Sequence, residues 1–319
     1  MRPAFLALMG IWRCNREMST ISDIHGFKDW RTILPIEKGW SSDKKYFVES
    51  IAGKKLLLRI SEISDYDKKK DEFEILEKLV NKDMPIPRPI EFGVCNNGNS
   101  VYSLLTWMDG EDAESVIPSF NESEQYNLGV KAGQVLFVMH SFTAPKGLPS
   151  WEQRILNKVK VKYAQYESCG IKVPHDDEIL KFINDNLWCT KNVQRTFCHG
   201  DFHLGNMIID KDREINIIDF NRWGYDDPYE EFNRLMVFTR RISIPFAKGQ
   251  IHGYFDGEQP PEAFFRRMAL YTAINALFSI VWSIPFGEEE IKGDLERSRM
   301  NYEDYNGFTT IIPNWWRNG

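Results

Sequence analysis

The residue types and spacing that could perform chemistry are concentrated in the segment HGDFHLGN at 199–206. His199, Asp201 and Asn206 follow the spacing H-x-D-x-x-x-x-N, and Asp219 follows an apolar run further along the chain. Phosphoryl transfer needs such a set, because one carboxylate accepts the proton of the acceptor hydroxyl while an amide oxygen and a second carboxylate bind Mg²⁺. We therefore expect Asp201 to be the base and Asn206 and Asp219 to bind Mg²⁺, with a nucleoside triphosphate as the donor.

The histidines near this motif allow a second interpretation. His203 is expected to organise the loop, and His199 to support it, because an imidazole performs acid–base work only when it is free to titrate. Alternatively, His199 and Asp201 together with the distant His252 form a facial triad for iron. The iron alternative leaves Asn206 without a role and requires a β-rich barrel, which the sequence does not indicate.

The elements around these residues predict where they meet. Two short apolar strands, MIID and INIID, flank the polar turn KDRE, so a hairpin returns Asn206 and Asp219 to the same edge. Earlier in the chain, 44–50 and 54–61 predict another β-hairpin, and 68–81 has the periodicity of an amphipathic helix.

The distribution of these patterns indicates an α+β fold with two lobes. A further strand pair turns at 96–99, and helices are predicted at 122–141, 151–168 and 176–188. The predicted domains are a possible N-terminal extension at 1–17, a small N-terminal lobe of antiparallel sheet plus helix at 18–107, and a larger, mostly helical C-terminal lobe at 108–319.

One glutamate on the predicted helix provides an independent indication of a site. Glu72 projects from the same face as the apolar residues, whereas Glu74 projects from the opposite face. A carboxylate on an apolar face needs a partner, and Arg59 on the strand LLLRIS is the candidate cation. Lys54 and Lys55, beside the turn, are possible substitutes, and a solvated Arg59 and Glu72 on the surface is the simpler alternative.

Composition narrows the possible partners and compartments. The 319-residue chain has a net charge of −6, which argues against nucleic acid as the main partner. Its five cysteines show no C-x-x-C spacing, so neither a disulfide framework nor a zinc cluster is indicated, and a reducing cytoplasm fits best. The uncharged segment 268–287 has apolar residues on one helical face and is expected to be a buried helix rather than a membrane span.

Taken together, these motifs resemble the aminoglycoside phosphotransferase and choline kinase-like family. The resemblance is carried by Gly39-Trp40-Ser41-Ser42, Arg59, Glu72, Pro85-Ile86-Pro87-Arg88-Pro89, the 199–206 motif, Asp219-Phe220 and Asp227-Pro228. It implies a bilobal, protein-kinase-like fold that uses ATP, or GTP, together with Mg²⁺. A Gly-rich G-x-G-x-x-G loop and a Walker A motif are both absent from the sequence.

The resemblance also implies nucleotide-binding positions. A linker from Thr106 to Met108 meets the adenine with its backbone, Ile218 lies under the base, and Ser41 and Ser42 offer backbone N–H groups ahead of the hairpin. Arg59 and Glu72 correspond to the ion pair that holds the phosphates, although the family position usually carries lysine. Arginine and lysine are not interchangeable at such a position.

The identity of the acceptor is the least determined part of the function. Acidic residues in the C-terminal lobe, including Asp226, Asp227 and Glu230, are candidates for binding it. This acidity favours a polyamine such as an aminoglycoside, whereas a macrolide or a choline-like or amino-sugar metabolite are alternatives. A nucleotide-binding regulator without transfer activity is a further alternative. The protein is expected to act on a small-molecule hydroxyl as a monomer or homodimer, without nucleic acid or membrane.

Overall fold

The computed structural model describes residues 20–37 and 42–317, which form two compact units. The first unit ends at Asp109 and also includes Asn216–Asn221, and the second consists of Gly110–Ile215 and the chain from Arg222 onward. Asp219 therefore belongs to the first unit, whereas the 199–206 motif belongs to the second. The predicted extension at 1–17 and the predicted nucleotide contact Ser41 lie outside the described residues.

The first unit is built on a five-stranded antiparallel sheet. Its elements are β1 (Trp30–Ile36), β2 (Lys44–Ser50), β3 (Lys55–Glu62), α1 (Tyr66–Val80), β4 (Pro89–Cys95) and β5 (Ser100–Thr106). The strands lie in the order β1-β2-β3-β5-β4. The two predicted hairpins of this region and the predicted helix are therefore confirmed, each within one or two residues of the expected bounds.

Strand alternation divides the side chains of this sheet between two faces. Leu56, Leu58 and Ile60 of β3 are buried in an apolar core that also contains Tyr46 and Val48 of β2. Because successive side chains of a strand point to opposite faces, the residues between them project to the other side. That other face carries the charged residues of the site.

The second unit is mostly helical, with short strands at the motif. Its strands are β6 (Glu111–Asp112), β7 (Thr196–Cys198), β8 (Met207–Ile209) and β10 (Gly224–Asp226), while β9 (Ile215–Ile217) starts at the end of the second unit and continues in the first. Its helices are α2 (Ala113–Val116), α3 (Glu122–His140), α4 (Trp151–Ser168), α5 (Asp176–Asn186), α6 (Phe232–Arg234), α7 (Arg240–Ile242), α8 (Ile244–Tyr254), α9 (Glu262–Phe278), α10 (Ile280–Ser283), α11 (Glu288–Asp304) and α12 (Asn314–Arg317). A π-helical turn at Leu235–Thr239 joins α6 to α7.

Helices α3 and α8 pack closely because both carry glycines at their contact. A Cβ atom at Gly133 would lie 2.1 Å from the carbonyl oxygen of Gln250, and one at Gly253 would lie 2.1 Å from that of Val130. Only glycine permits this approach of the two backbones. The contact brings the ends of the helices together, where His140 Nδ1 lies 2.9 Å from the hydroxyl of Tyr254.

One helical segment of the described chain, Glu262–Phe286, is long and apolar enough by composition to cross a membrane. Most of its apolar window is nevertheless buried inside the protein. Phe264, Met268, Leu270 and Leu277 are fully buried. The expectation of a buried helix is therefore confirmed for α9. Beyond α9, Trp282 of the same predicted segment is substantially exposed.

Candidate active site

Arg59 lies in the middle of β3, and its guanidinium is bonded to three side chains of the first unit. Nη1 donates to Glu72 Oε1 at 3.1 Å, and Nη2 donates to Asp43 Oδ2 at 2.6 Å and to Asn221 Oδ1 at 3.2 Å. Arg59 and Glu72 are both buried, at 4% and 6% side-chain exposure. The predicted pairing of the two is confirmed, and the alternative of two solvated surface charges is wrong.

Asp43 and Lys69 complete a buried group of charges that the sequence did not single out. Lys69 Nζ lies 2.6 Å from Asp43 Oδ2 and 3.4 Å from Glu72 Oε2. Burial raises the pKa of Asp43, but the charges of Arg59 and Lys69 outweigh burial and hold it well below its usual range. We call Asp43, Arg59, Lys69 and Glu72 the ion cluster of the first unit.

Asp219 lies beside this ion cluster and contacts a different cation. Lys45 Nζ donates to Asp219 Oδ2 at 3.0 Å, while Arg59 Nη1 lies 3.5 Å from Oδ1. The backbone of Asp219 is left-handed, with φ of 67°, a conformation that aspartate adopts more readily than most residues. The first unit therefore brings together three predicted site residues, Arg59, Glu72 and Asp219.

The residues expected to contact the adenine ring, and Ser42 ahead of the first hairpin, lie in the same unit. Thr106 ends β5, and its hydroxyl accepts a hydrogen bond from the backbone N–H of Arg88 at 2.8 Å. Met108 and Ile218 are half-buried, and Ser42 is exposed just before β2. Their contacts with a nucleotide stay predictions.

Asp201, the carboxylate of the 199–206 motif in the second unit, is surrounded by two arginines and a histidine. Arg234 Nε lies 3.2 Å from Oδ1, Arg222 Nε lies 3.7 Å from Oδ2, and His203 Nε2 lies 3.7 Å from Oδ1. Burial raises the pKa of Asp201, but the His203 ring and the charges of Arg234 and Arg222 outweigh burial and hold the pKa well below its usual range. Asp201 is therefore ionised at neutral pH and can accept a hydrogen bond from a hydroxyl.

The loop that carries Asp201 is ordered by its own side chains. His203 Nδ1 accepts a hydrogen bond from the Gly205 N–H at 3.1 Å, and His199 Nδ1 accepts one from the Asp201 N–H at 3.2 Å. Both histidines thus bond to the loop backbone, as expected of supporting residues.

The side-chain amide of Asn206 is held by hydrogen bonds within this loop. Its Nδ2 donates to the carbonyl oxygen of Asp201 at 2.9 Å and to Oδ2 of the same residue at 3.2 Å. Those bonds fix the amide so that Oδ1 is left for another donor or a cation. Asn206 in the second unit and Asp219 in the first both offer hard oxygen atoms, which is the donor chemistry that suits Mg²⁺.

Glu231 is a further site residue that the sequence reasoning missed. Its carboxylate accepts hydrogen bonds from the N–H groups of Gly200 at 3.1 Å and Phe202 at 3.3 Å, on either side of Asp201. Burial raises the pKa of Glu231, but the neighbouring rings of His140 and His199 and the N–H of Gly200 outweigh burial and lower it. Its position four residues after Asp227, at the start of a helix, was the available signal.

The acidic residues predicted to bind the acceptor already have cationic partners. Asp227 is fully buried and bonded to Arg267 at 2.9 Å and to the Tyr271 hydroxyl at 2.5 Å. The other pairs are Asp226 with Arg154 at 3.2 Å and Glu230 with Lys158 at 2.6 Å. Their contact with an acceptor stays a prediction, and the burial of Asp227 gives it a role inside the fold.

The iron alternative receives no support from the described residues. His252 lies on α8, where Nδ1 is 2.9 Å from the Tyr126 hydroxyl and the ring contacts Trp316. Among the described residues, one group of potential metal ligands lies close together. It consists of His140, Cys198 and Glu231, whose ligand atoms lie within 4.8 Å of one another. The facial triad of His199, Asp201 and His252 is thus not formed as a group.

Comparison with known proteins adds a family to this geometry. Residues 32–265 match the family model described as the phosphotransferase enzyme family. A search of curated proteins gave no match.

Solved structures show the fold. The GDP and kanamycin complex of APH(2")-IIIa has a TM-score of 0.70 at 15% identity, covering 92% of this chain and 99% of that one. A choline/ethanolamine kinase family protein from Mesorhizobium loti has a TM-score of 0.65 at 14% identity, covering 92% and 96%. A thermostable mutant of aminoglycoside phosphotransferase APH(4)-Ia, in complex with ADP and hygromycin B, has a TM-score of 0.64 at 15% identity, covering 90% and 98%.

These structures confirm the predicted α+β, protein-kinase-like fold. The family match spans most of the chain and includes the ion cluster, the 199–206 motif and Asp219. The chain therefore belongs to the phosphotransferase enzyme family, and its resemblance to aminoglycoside phosphotransferases and choline kinase-like proteins is confirmed.

Proposed function

We propose that this protein transfers the γ-phosphoryl group of ATP, or of GTP, to a hydroxyl group of a small molecule. The observation that carries the proposal is the environment of Asp201, an ionised carboxylate on an ordered loop, with the Asn206 amide locked beside it. Membership of the phosphotransferase family supports the reaction class.

In this reaction the acceptor hydroxyl donates its hydrogen bond to Asp201, which holds the oxygen for in-line attack on the γ-phosphorus. The new oxygen–phosphorus bond forms as the bond to the bridging oxygen of the nucleoside diphosphate breaks, and the hydroxyl proton passes to Asp201. Because the pKa of Asp201 is depressed, it is a weak base and receives the proton late. Its main contribution is therefore the positioning of the hydroxyl.

Asn206 and Asp219 are the residues proposed to hold Mg²⁺. The bound ion would neutralise charge on the transferring phosphates. The contribution of the chain itself is to fix these ligands: Asn206 through its bonds to Asp201, and Asp219 through Lys45.

As acceptor we propose an aminoglycoside-type antibiotic, which makes resistance the biological outcome. The support is that structures of the same fold are complexes with kanamycin and hygromycin B. A choline-like acceptor is the second candidate, favoured by the choline/ethanolamine kinase family protein of the same fold. The cytoplasm stays the predicted compartment, and monomer or homodimer the predicted state.

One assay tests the reaction and the acceptor together. The purified protein is incubated with Mg-ATP or Mg-GTP and a panel of aminoglycosides, macrolides, choline-like compounds and amino sugars, and the phosphorylated product is detected by mass. Asp201→Asn should lower the turnover by about 10² to 10⁴. Asp212→Asn, an exposed aspartate in the turn after β8, is the matched control and should leave the turnover unchanged.

Two results would contradict the proposal. If Asp201→Asn keeps full turnover, Asp201 is not the base. If the wild-type protein binds nucleotide but phosphorylates no member of a broad panel, the alternative of a nucleotide-binding regulator is favoured.

A further inference from the structure

Arg59 occupies the position expected for the cation that binds the nucleotide phosphates, but its guanidinium already has carboxylate partners. Both terminal nitrogens are bonded to carboxylates, one to Glu72 and the other to Asp43. The side chain is only 4% exposed. Three of its five N–H donors are in hydrogen bonds with Glu72, Asp43 and Asn221, so a phosphate would have to reach a buried group whose donors are mostly engaged.

The charges of the ion cluster also cancel. Two cations, Arg59 and Lys69, form ion pairs with two carboxylates, Asp43 and Glu72. Lys69 is paired in the same way as Arg59, because its ammonium contacts both carboxylates. An incoming phosphate therefore meets a closed, neutral group rather than a free cation.

Lys45 is placed differently. It lies on β2 directly opposite Arg59 in the antiparallel register, so both side chains project from the same face of the sheet. Its ammonium contacts Asp219, the predicted Mg²⁺ ligand, at 3.0 Å. Among the described residues Asp219 is its one carboxylate partner, and an ammonium has three donors.

We infer that Lys45, rather than Arg59, is the cation that binds the nucleotide phosphates. Arg59 is then a positioning residue that holds Glu72 and Asp43 in the ion cluster. A compact ammonium on a flexible stem suits a phosphate beside Asp219, whereas the planar fork of Arg59 is matched to the carboxylates that it already binds. This inference rests on the proposed function, because it assigns a role within the same nucleotide site.

Nucleotide affinity, measured by titration with a fluorescent ATP analogue in the presence of Mg²⁺, separates the two cations. Lys45→Met should weaken binding by about 10- to 100-fold, the loss expected for one charge-assisted phosphate contact. Lys44→Met removes the same charge from the adjacent, exposed position of β2 and should change affinity less than about threefold. Arg59→Lys should lower the unfolding midpoint, since the fork is lost, yet leave affinity within about threefold in the folded protein.

Lys45→Gln is a second variant that separates loss of the charge from loss of the fold. Its amide can still donate a hydrogen bond to Asp219, but the positive charge is removed. The same loss of affinity, with an unchanged unfolding midpoint, is expected for this variant. Wild-type affinity in both Lys45 variants, or an affinity loss confined to Arg59→Lys, would overturn the assignment and leave the proposed function standing. If the wild-type protein binds neither ATP nor GTP, the proposed function itself fails.

Discussion

The two units of this protein both bury several carboxylates, and they do so in opposite ways. In the ion cluster of the first unit, cations and carboxylates are equal in number, and the pKa of Asp43 is held well below its usual range despite burial. In the acidic segment 226–227 of the second unit, burial raises both pKa values: at Asp226, burial and the charge of Glu230 outweigh Arg154 and raise the pKa to about 6, and at Asp227 burial outweighs Arg267. The ion cluster is therefore stable only when all of its cations and carboxylates are charged. In the acidic segment a carboxyl group can instead be neutralised by taking up a proton.

The largest expected effect comes from opening the ion cluster. Glu72→Gln leaves Arg59 and Lys69 buried with one carboxylate fewer, so the free energy of unfolding should fall by about 4 kcal/mol. The matched control is Glu74→Gln on the opposite face of α1, where an exposed pair with Lys70 at 3.8 Å should be worth less than about 0.5 kcal/mol. Chemical denaturation measures both. Equal losses in the two variants would mean that the ion cluster does not stabilise the first unit.

Removing the cation of a buried carboxylate in the second unit should lower the free energy of unfolding by a smaller amount, and that loss should depend on pH. Arg267→Met removes the cation of buried Asp227, and we expect a loss of about 3 kcal/mol at pH 7. Burial already raises the pKa of Asp227, so without Arg267 the carboxyl takes up a proton in the folded state and the loss shrinks toward about pH 5. Denaturation at both pH values measures the effect, and a loss independent of pH would contradict it.

The neighbouring residue supplies the control for that measurement. Arg266 bonds to Asn186 and Glu262 and lies over the ring of Trp188, and among the described residues it contacts no fully buried carboxylate. Arg266→Met should therefore lower the free energy of unfolding by no more than about 1 kcal/mol, with little dependence on pH.

The titration of Asp226 should give a smaller pH dependence of the free energy of unfolding. Because its pKa is higher in the folded than in the unfolded state, the folded state keeps a proton between about pH 4 and 6, and its relative stability falls as the pH rises through that window. Asp226→Asn abolishes this titration. Relative to the variant, the wild-type free energy of unfolding should decline by about 2 kcal/mol from pH 4 to pH 7. Parallel stability curves for the two proteins would show that Asp226 titrates normally.

The same comparison explains what the sequence could predict. Glu72 was identifiable because a carboxylate on an apolar helix face demands a partner, and Arg59 lies on a nearby strand. Lys69 could have been found by the same rule, since it is three residues before Glu72 on the same face. Asp43 could not, because it precedes β2 in a polar loop and gives no periodic signal.

The acidic segment escaped prediction for a different reason. The partners of Asp226 and Asp227 are Arg154 and Arg267, which lie far away along the chain and approach only when α4 and α9 fold against the segment. Short-range periodicity contains no information about such contacts. The sequence therefore indicated Asp226 and Asp227 as candidates for binding the acceptor and contained no sign of their cationic partners. Motif spacing succeeded at Asp201 and Asn206 because their bonds are local to one loop.

The smallest expected effect on stability bears most directly on the acceptor. Lys158 neutralises Glu230 through a partly exposed contact at 2.6 Å, so Lys158→Met should lower the free energy of unfolding by less than about 1 kcal/mol. If Glu230 faces a polycationic acceptor, releasing its charge should lower the KM for that acceptor about threefold, and added salt should remove the gain. Lys160→Met, exposed on the same helix, is the control and should leave KM unchanged. If KM is unchanged in Lys158→Met, Glu230 does not belong to the acceptor site. The Glu230 carboxylate has then lost its lysine partner and still does not affect binding of the acceptor.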